Sequence, residues 1–110
     1  MASAGTAFFE DLASRGHEPL LANAKGTVRV ELTDGTRIER WLVSIDKGNV
    51  DVSHRNLRGD CTIRAPKDLF DGFARGEVNA MAAVIRGAVA VEGDWELLGQ
   101  FQRLFRGPGA

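Results

Sequence analysis

Apolar residues recur along the chain with two different periods, which predict the order of its elements. In "TAFFEDLASRG" at 6–16 they fall on one helical face, and the last glycine can end that helix. From "GTVRVELT" at 26–33 onward the period is two, as in strands with one buried face. Helical spacing returns after residue 66, interrupted by "AVAVE" at 88–92. The predicted order is one helix, four strands, two helices, one strand and one helix.

The first two strands form a predicted hairpin with one irregularity. "TDGT" at 33–36 places Asp-Gly where a tight turn needs positive φ angles. In the return strand, Ile38 is out of phase with Trp41 and the alternating residues that follow. Either a β-bulge near Arg40 restores the phase, or both faces of this strand are covered.

Polar and special residues mark the ends of the later helices. Pro66 suits a first helical position, where its missing N–H is harmless. Asn79 and Asp94 are predicted N-caps, and "GPGA" at 107–110 is the predicted stop of the last helix. That helix carries an apolar stripe at helical spacing, made of Leu97, Leu98, Phe101, Leu104 and Phe105.

Strands followed by helices predict an α+β fold, in which a largely antiparallel sheet has its helices on one face. A chain of 110 residues is long enough for one hydrophobic core, so we expect a single domain over 1–110.

Composition and charge narrow the class of protein. The net charge is −1 and the basic residues are scattered among acidic ones, which argues against a nucleic-acid partner. The N-terminal sequence has neither a basic start nor a sustained apolar centre, so we expect no secretory signal. A single cysteine, Cys61, excludes an internal disulfide and suits a reducing cytoplasm, the expected location.

The candidate catalytic residues do not form a catalytic arrangement. The histidines are His17, in a connector, and His54, at a strand end. Ser53 and His54, close to Asp51, are neighbours in an extended segment and point to opposite faces, so they cannot pair as nucleophile and base. Cys61 is predicted to be a small buried side chain. No spacing of His and Cys suits a metal, and we expect neither an enzyme nor a cofactor.

From Trp41 onward the chain resembles the sterol carrier protein-2 (SCP-2) family of sterol-binding domains. The resemblance lies in the order of "GDCTIRA" at 59–65, "DLFDGFARGEVNAMAAVIRG" at 68–87, "AVAVEGD" at 88–94 and "LLGQFQRLF" at 97–105. It implies a five-stranded sheet roofed by helices around an apolar cavity. Members bind fatty acids, acyl-CoA esters, sterols or phospholipids, and need no cofactor.

The resemblance turns the apolar faces into a candidate lipid site. The expected lining residues are Trp41, Ile45, Phe70, Phe73, Met81, Val84, Ile85, Leu97, Phe101 and Phe105. By pattern alone the same residues are more typical of an ordinary packed core, and only the resemblance favours a cavity. Lys47, Arg75 and Arg86 are candidates for contact with an anionic headgroup.

Two functions follow from these expectations. The first is non-enzymatic binding of a long-chain lipid or sterol-like ligand, with intracellular transfer and transient membrane contact left open. The alternative is a small interaction module on the same scaffold, with no lipid carriage. In that case the helical stripe meets a partner such as a second copy, in a homodimer.

Overall fold

The computed structural model describes residues 3–105, and the predicted order of elements is confirmed. In chain order the helices and strands are α1 (Ala4–Arg15), β1 (Lys25–Asp34), β2 (Arg37–Asp46), β3 (Asn49–Ser53), β4 (Cys61–Pro66), α2 (Lys67–Ala74), α3 (Ala80–Ile85), β5 (Ala90–Gly93) and α4 (Trp95–Phe101). Short 3₁₀ turns cover Pro19–Leu21 and Gln102–Leu104. No helix in this part of the chain is both long and apolar enough to cross a membrane.

The five strands form one sheet in the order β3-β2-β1-β4-β5. Neighbouring strands pair antiparallel except β1 and β4, which run parallel, so the sheet is mixed. The central strand β1 turns Val28, Val30 and Leu32 toward the helices, and all three are buried in the core. The alternation of apolar and polar residues in β1 therefore decides which face of the sheet the helices cover.

Strand β2 resolves the irregularity in its sequence without a bulge. Its pairing with β1 is continuous from Asp46 opposite Lys25 to Arg37 opposite Asp34. Trp41, Leu42 and Val43 are all buried, so both faces of this strand are covered at its centre. Ile38 lies on the outer face of the sheet, opposite the helices, and is 51% exposed.

The predicted helix caps are confirmed, with one shift of position. Asn79 Oδ1 accepts a hydrogen bond from Ala82 N at 2.9 Å, and Asp94 Oδ1 accepts one from Glu96 N at 2.9 Å. Pro66 is not the first residue of α2. It is the last residue of β4 and occupies the N-cap position with extended backbone (ψ 141°).

The last helix is shorter than its apolar stripe. Helix α4 ends at Phe101, and the chain continues in a 3₁₀ turn to Leu104. Phe105 follows with an extended backbone (ψ 124°) and therefore does not continue the helical stripe. The predicted stop at 107–110 lies outside the described residues.

Helices α1 and α2 are joined by a side chain that caps the backbone of its neighbour. Asp71 Oδ1 accepts a hydrogen bond from Gly5 N, in the first turn of α1, at 2.7 Å. The first backbone N–H groups of a helix have no partner within it, so a carboxylate placed there satisfies one of them. This contact fixes the start of α1 against the helix that carries Phe70 and Phe73.

Candidate functional site

A small apolar cavity lies between the helices and β4. It is lined by Ile63, Phe70, Phe73, Ala80, Met81, Val84, Val89, Leu98, Phe101, Gln102 and Phe105. All of these side chains are apolar except that of Gln102. The cavity volume is about 20 Å³, which is room for roughly one water molecule. In this conformation helices and sheet are in contact, and no acyl chain fits between them.

Six of the ten residues expected from the sequence meet at this cavity: Phe70, Phe73, Met81, Val84, Phe101 and Phe105. Sequence reasoning missed Ile63, Ala80, Val89, Leu98 and Gln102. Ile63 and Val89 belong to apolar segments that the pattern did recognise. The pattern shows that such residues are buried but not which cavity they border.

The other four expected residues lie elsewhere. Ile85 is on the outer side of α3 and is 80% exposed. Leu97 is buried against Gly26 of β1. Ile45 is buried in the sheet layer beside a separate groove that opens to solvent. Trp41 is buried too, but it does not line the cavity.

Phe9 separates Trp41 from the cavity. Its ring stacks on Trp41, with centroids 4.6 Å apart, and on Phe70 from the other side, at 5.2 Å. The two interplanar angles are 14° and 4°, so three rings form one stack from the sheet to the cavity wall. The stack fills the space that the sequence assigned to ligand, and Trp41 supports the wall from behind.

Phe105 lines the cavity on the side of α1. Its ring stacks on Phe8 at 4.8 Å and contacts Phe70 and Phe101 at 5.3 and 5.7 Å. Phe8 and Phe105 are both half-buried. Of this stacked pair, Phe105 lines the cavity, and Phe8 of α1 packs against Phe105 without lining it.

Among residues 3–105, no charged side chain lines the cavity. Gln102 Nε2 donates a hydrogen bond to Gly99 O at 3.2 Å, which holds its amide at the rim. Lys47 lies in the turn between β2 and β3, outside the elements that line the cavity. Arg75 forms an ion pair with Glu77 at 2.7 Å, and Arg86 follows α3 and is exposed. The described part of the wall therefore offers apolar contacts and no charged group.

The residues weighed as catalytic have structural partners. His54 Nδ1 lies 2.8 Å from Arg40 O, and its ring lies against Trp41 with a centroid distance of 4.1 Å. Burial raises the pKa of the Cys61 thiol to about 11, so it stays protonated and a poor nucleophile. Within residues 3–105 no group of three or more His, Cys, Asp or Glu side chains could hold a metal ion.

Within residues 3–105, a mixed five-stranded sheet is covered on one face by short helices, and the cavity between them is lined by apolar side chains apart from Gln102, an arrangement typical of small domains with an apolar pocket. The family model for the SCP-2 sterol transfer family matches residues 7–106. The chain belongs to this family, whose domains bind lipids. No curated protein sequence matches the chain significantly.

Solved structures share the fold at low sequence identity. Apo sterol carrier protein 2 from Yarrowia lipolytica is 17% identical with a TM-score of 0.74, over 91% of this chain and 88% of that one. Palmitated SCP2L2 from Aedes aegypti is 16% identical with a TM-score of 0.69, over 94% of both chains.

One structural match is part of a larger enzyme. The sec-alkylsulfatase Pisa1 from Pseudomonas sp. is 20% identical with a TM-score of 0.71. The match covers 94% of this chain but only 16% of that one. The same fold therefore occurs both as a small protein and as one segment of a long one.

Proposed function

We propose that this chain binds a long-chain lipid or sterol-like ligand at the cavity between α2, α3, α4 and β4, without chemistry, and passes it on. The observation that carries the proposal is the lining, where ten of eleven residues are apolar. Buried apolar surface without charge favours ligands held by their hydrocarbon. Within the family, the Aedes aegypti structure described as palmitated supports a fatty acyl chain as one such ligand.

Binding requires the walls to part, because typical ligand sites enclose about 300 Å³ or more. Helix α3 is the wall with the least anchorage, since Ala83 is the only residue of its six that is fully buried. It lies between Gly76 and Gly87, whose φ angles of 74° and 80° place them in the left-handed region. These glycines can absorb a change of direction at either end of the segment.

The lining residues divide by how firmly they are held. Phe70, Phe73 and Phe101 are buried and form the fixed walls of the proposed site. Met81, Val84 and Phe105 are half-buried and move aside. Met81 suits this role because a flexible thioether adapts to ligands of irregular shape. Trp41, Ile45 and Leu97 support the walls, and Ile85 contributes only when α3 rotates.

The energetics allow such an exchange of contacts. Burying a sixteen-carbon chain gains about 0.8 kcal/mol per CH₂, or roughly 12 kcal/mol in all. Association and ordering cost on the order of 4–15 kcal/mol. The parted side chains lose contacts with each other and regain them with the ligand. At the low end of that cost the net gain is about 8 kcal/mol, which corresponds to a dissociation constant near 1 μM and suits a protein that must also release its ligand.

The nearly filled core favours a second candidate, an interaction module that carries no lipid. A cavity of about 20 Å³ is what a close-packed domain leaves by chance. The occurrence of the fold as one segment of a sulfatase fits a scaffold role as well. In this alternative the walls stay closed, and a partner protein meets the outer surface of the domain.

Displacement of a fluorescent fatty acid separates the two candidates. NBD-labelled stearate is titrated into the protein, and native mass spectrometry of the freshly purified chain looks for adducts of lipid mass. The test variant is Met81→Phe, which fills the cavity, and its matched control is Ala82→Phe on the exposed side of the same helix. We expect Met81→Phe to weaken probe binding by about tenfold or more.

Ala82→Phe should bind the probe like the parent chain. Equal affinity in Met81→Phe and the parent would remove Met81 from the site. If the parent shows neither adducts nor probe binding, the carrier function is wrong and the interaction module takes its place. Thermal unfolding of both variants confirms that each is folded.

A further inference from the structure

The loop between β3 and β4, residues 54–60, crosses the outer face of the sheet, on the side away from the cavity. Strands β2 and β1 lie between the two strands that it connects. Arg29 alternates with the buried valines of β1 and therefore points to the outer face. Its Nη1 donates a hydrogen bond to Leu57 O at 2.9 Å, and a Cβ atom at Gly59 would lie 3.0 Å from the Cβ atom of Arg29. These contacts place the loop against the sheet at Arg29.

Arginines are concentrated where the loop meets the sheet. Arg40 and Arg64 lie beside Glu31 on the neighbouring strands, in direct register with it. Together with Arg29 they share its carboxylate. Within residues 3–105 the one other carboxylate that pairs with any of these three arginines is that of Glu92, which pairs with Arg64 at 3.2 Å. Cations therefore outnumber carboxylates at this point of the sheet.

The loop adds two more arginines and an apolar side chain. Arg55 and Arg58 are exposed, and neither forms an ion pair in the part of the chain that the structure describes. Leu57 between them is 49% exposed. The carboxylate of Asp60, at the end of the loop, is already engaged, because its Oδ2 accepts a hydrogen bond from Thr27 N at 2.8 Å. The exposed charges of the loop around Leu57 are therefore positive.

Exposed apolar side chains lie at both ends of this basic area. Ile38 is two residues from Arg40 in β2, so both side chains point to the outer face, where Ile38 is 51% exposed. Ile38 pairs with Thr33, four residues beyond Arg29 in β1, which places it about 13 Å along the strand from the contact with Leu57. We call this surface the arginine face, formed by Ile38, Arg40, Arg55, Leu57, Arg58 and Arg64.

We propose that the arginine face docks an acidic segment of a partner protein. Carboxylates of that segment pair with the arginines, and apolar side chains at its ends contact Ile38 and Leu57. A guanidinium group can bind a carboxylate through two parallel hydrogen bonds, and arginine is enriched in protein interfaces. The inference does not depend on the lipid site, because the sheet separates the arginine face from the cavity.

An acidic protein segment fits this surface better than two other occupants. A second copy of the chain that docked through the same patch would bring arginine against arginine, and like charges repel. A single-stranded nucleic acid would meet positive charge, but sites for it also stack bases on aromatic rings. Trp41 is the one Phe or Trp in β1, β2, β4 and the loop, and its ring stacks on Phe9 of α1 on the opposite face.

Fluorescence anisotropy tests the docking surface with a labelled peptide that has four glutamates between two leucines. A peptide with glutamines in place of the glutamates is the neutral control. The full chain should bind the acidic peptide about tenfold more tightly or better, and added salt should weaken this binding. Arg55→Gln combined with Arg58→Gln should weaken it about tenfold. Leu57→Ser should weaken it about threefold.

Matched controls lie on the helical side of the molecule. Arg86→Gln combined with Arg103→Gln replaces two exposed arginines, and Ile85→Ser replaces an exposed apolar residue. Both should bind the acidic peptide like the parent chain. The inference is wrong if the parent does not prefer the acidic peptide, or if the control variants lose as much affinity as the loop variants.

Two further measurements separate this inference from its alternatives. A labelled thymidine oligonucleotide that binds more tightly than the acidic peptide would make the arginine face a nucleic-acid site and overturn the inference. NBD-labelled stearate reports on the cavity alone, so the loop variants should bind it like the parent. A failure of the lipid site would thus appear in the stearate titration, and a failure of the arginine face in the peptide titration.

Discussion

Glu31 is the most strongly paired carboxylate on the outer face of the sheet. Its side chain is 12% exposed and accepts hydrogen bonds from Arg29, Arg64 and Arg40 at 2.8, 2.7 and 3.3 Å. Arg40 and Arg64 flank it on the neighbouring strands in direct register. The hydrogen bond from Arg29 is the largest cause that lowers the pKa of Glu31, to about 2.

The ion pairs of Glu31 predict that part of the free energy of unfolding depends on pH. The pKa of Glu31 is about 2 in the folded chain and ordinarily 4.5, so its contribution is complete above about pH 4.5. It is lost as the pH falls from there toward 2. Glu31→Gln should lower the free energy of unfolding at pH 7 by about 1 to 2 kcal/mol, after allowance for solvent screening.

Urea denaturation of parent and variant between pH 7 and pH 2.5 measures this difference. The gap between their stabilities should narrow below pH 4.5. Glu92→Gln is the matched control, because Glu92 is 70% exposed and pairs with Arg64 alone. A gap that stays constant down to pH 2.5 would show that Glu31 acts through its shape and not through its charge.

The packing of α1 on α2 depends on a glycine in the first turn of α1. A Cβ atom at Gly5 would lie 2.9 Å from both Asp71 Oδ1 and Phe70 Cδ1. Phe70 is buried and held in the aromatic stack, so its ring cannot move away cheaply. Gly99 in α4 is different, since nothing lies within 4 Å of its would-be Cβ. Gly5 is therefore needed for the close packing of α1 on α2, whereas packing does not require a glycine at position 99.

Alanine substitutions distinguish these roles. Gly5→Ala should destabilise the fold by about 1 to 3 kcal/mol, because overpacking exceeds the gain in helix propensity. Gly99→Ala should stabilise it by about 0.5 to 1 kcal/mol, since only the propensity changes. Thermal and urea denaturation of the two variants measure both effects. A stabilised Gly5→Ala would contradict the tight contact between α1 and α2.

Across the molecule the buried apolar side chains are unevenly distributed. The sheet and the aromatic stack hold Val28, Val43, Phe9 and Phe70 almost completely buried. Helix α3 has six residues and one buried side chain, that of Ala83. Segments with few buried apolar contacts open at a lower free energy than the rest of a fold. The proposed entry of a ligand uses this difference.

Native-state hydrogen exchange tests whether α3 opens at a lower free energy than the sheet. The amides that donate to carbonyls of α3, such as that of Arg86 just beyond its end, should exchange much faster than those of β1 at the centre of the sheet. Saturation with a fatty acid should slow the α3 amides selectively, because a ligand that binds the opened site stabilises its walls. Equal exchange rates in α3 and β1 would show that the cavity opens only by global unfolding.

Local chemistry in the sequence determined the elements and many of their ends. Asn79 and Asp94 cap helices because their side-chain oxygens reach backbone N–H groups two or three residues away. The predicted hairpin forms, but its turn lies one residue further along: Asp34 still pairs with Arg37, and the turn residues are Gly35, with a φ of 63°, and Thr36. Period-two alternation likewise selected the buried face of β1. These interactions span a few residues, so the sequence displays them directly.

Only the tertiary structure decided which buried residues meet at the cavity and how large it is. Leu97 and Leu98 are neighbours on one apolar stripe, yet Leu97 packs on β1 and Leu98 lines the cavity. Phe9 comes from the first helix and stands between Trp41 and Phe70. A periodic pattern gives the direction of a side chain from its own helix or strand. The distance between layers depends on residues far apart in the chain, which meet only when it folds.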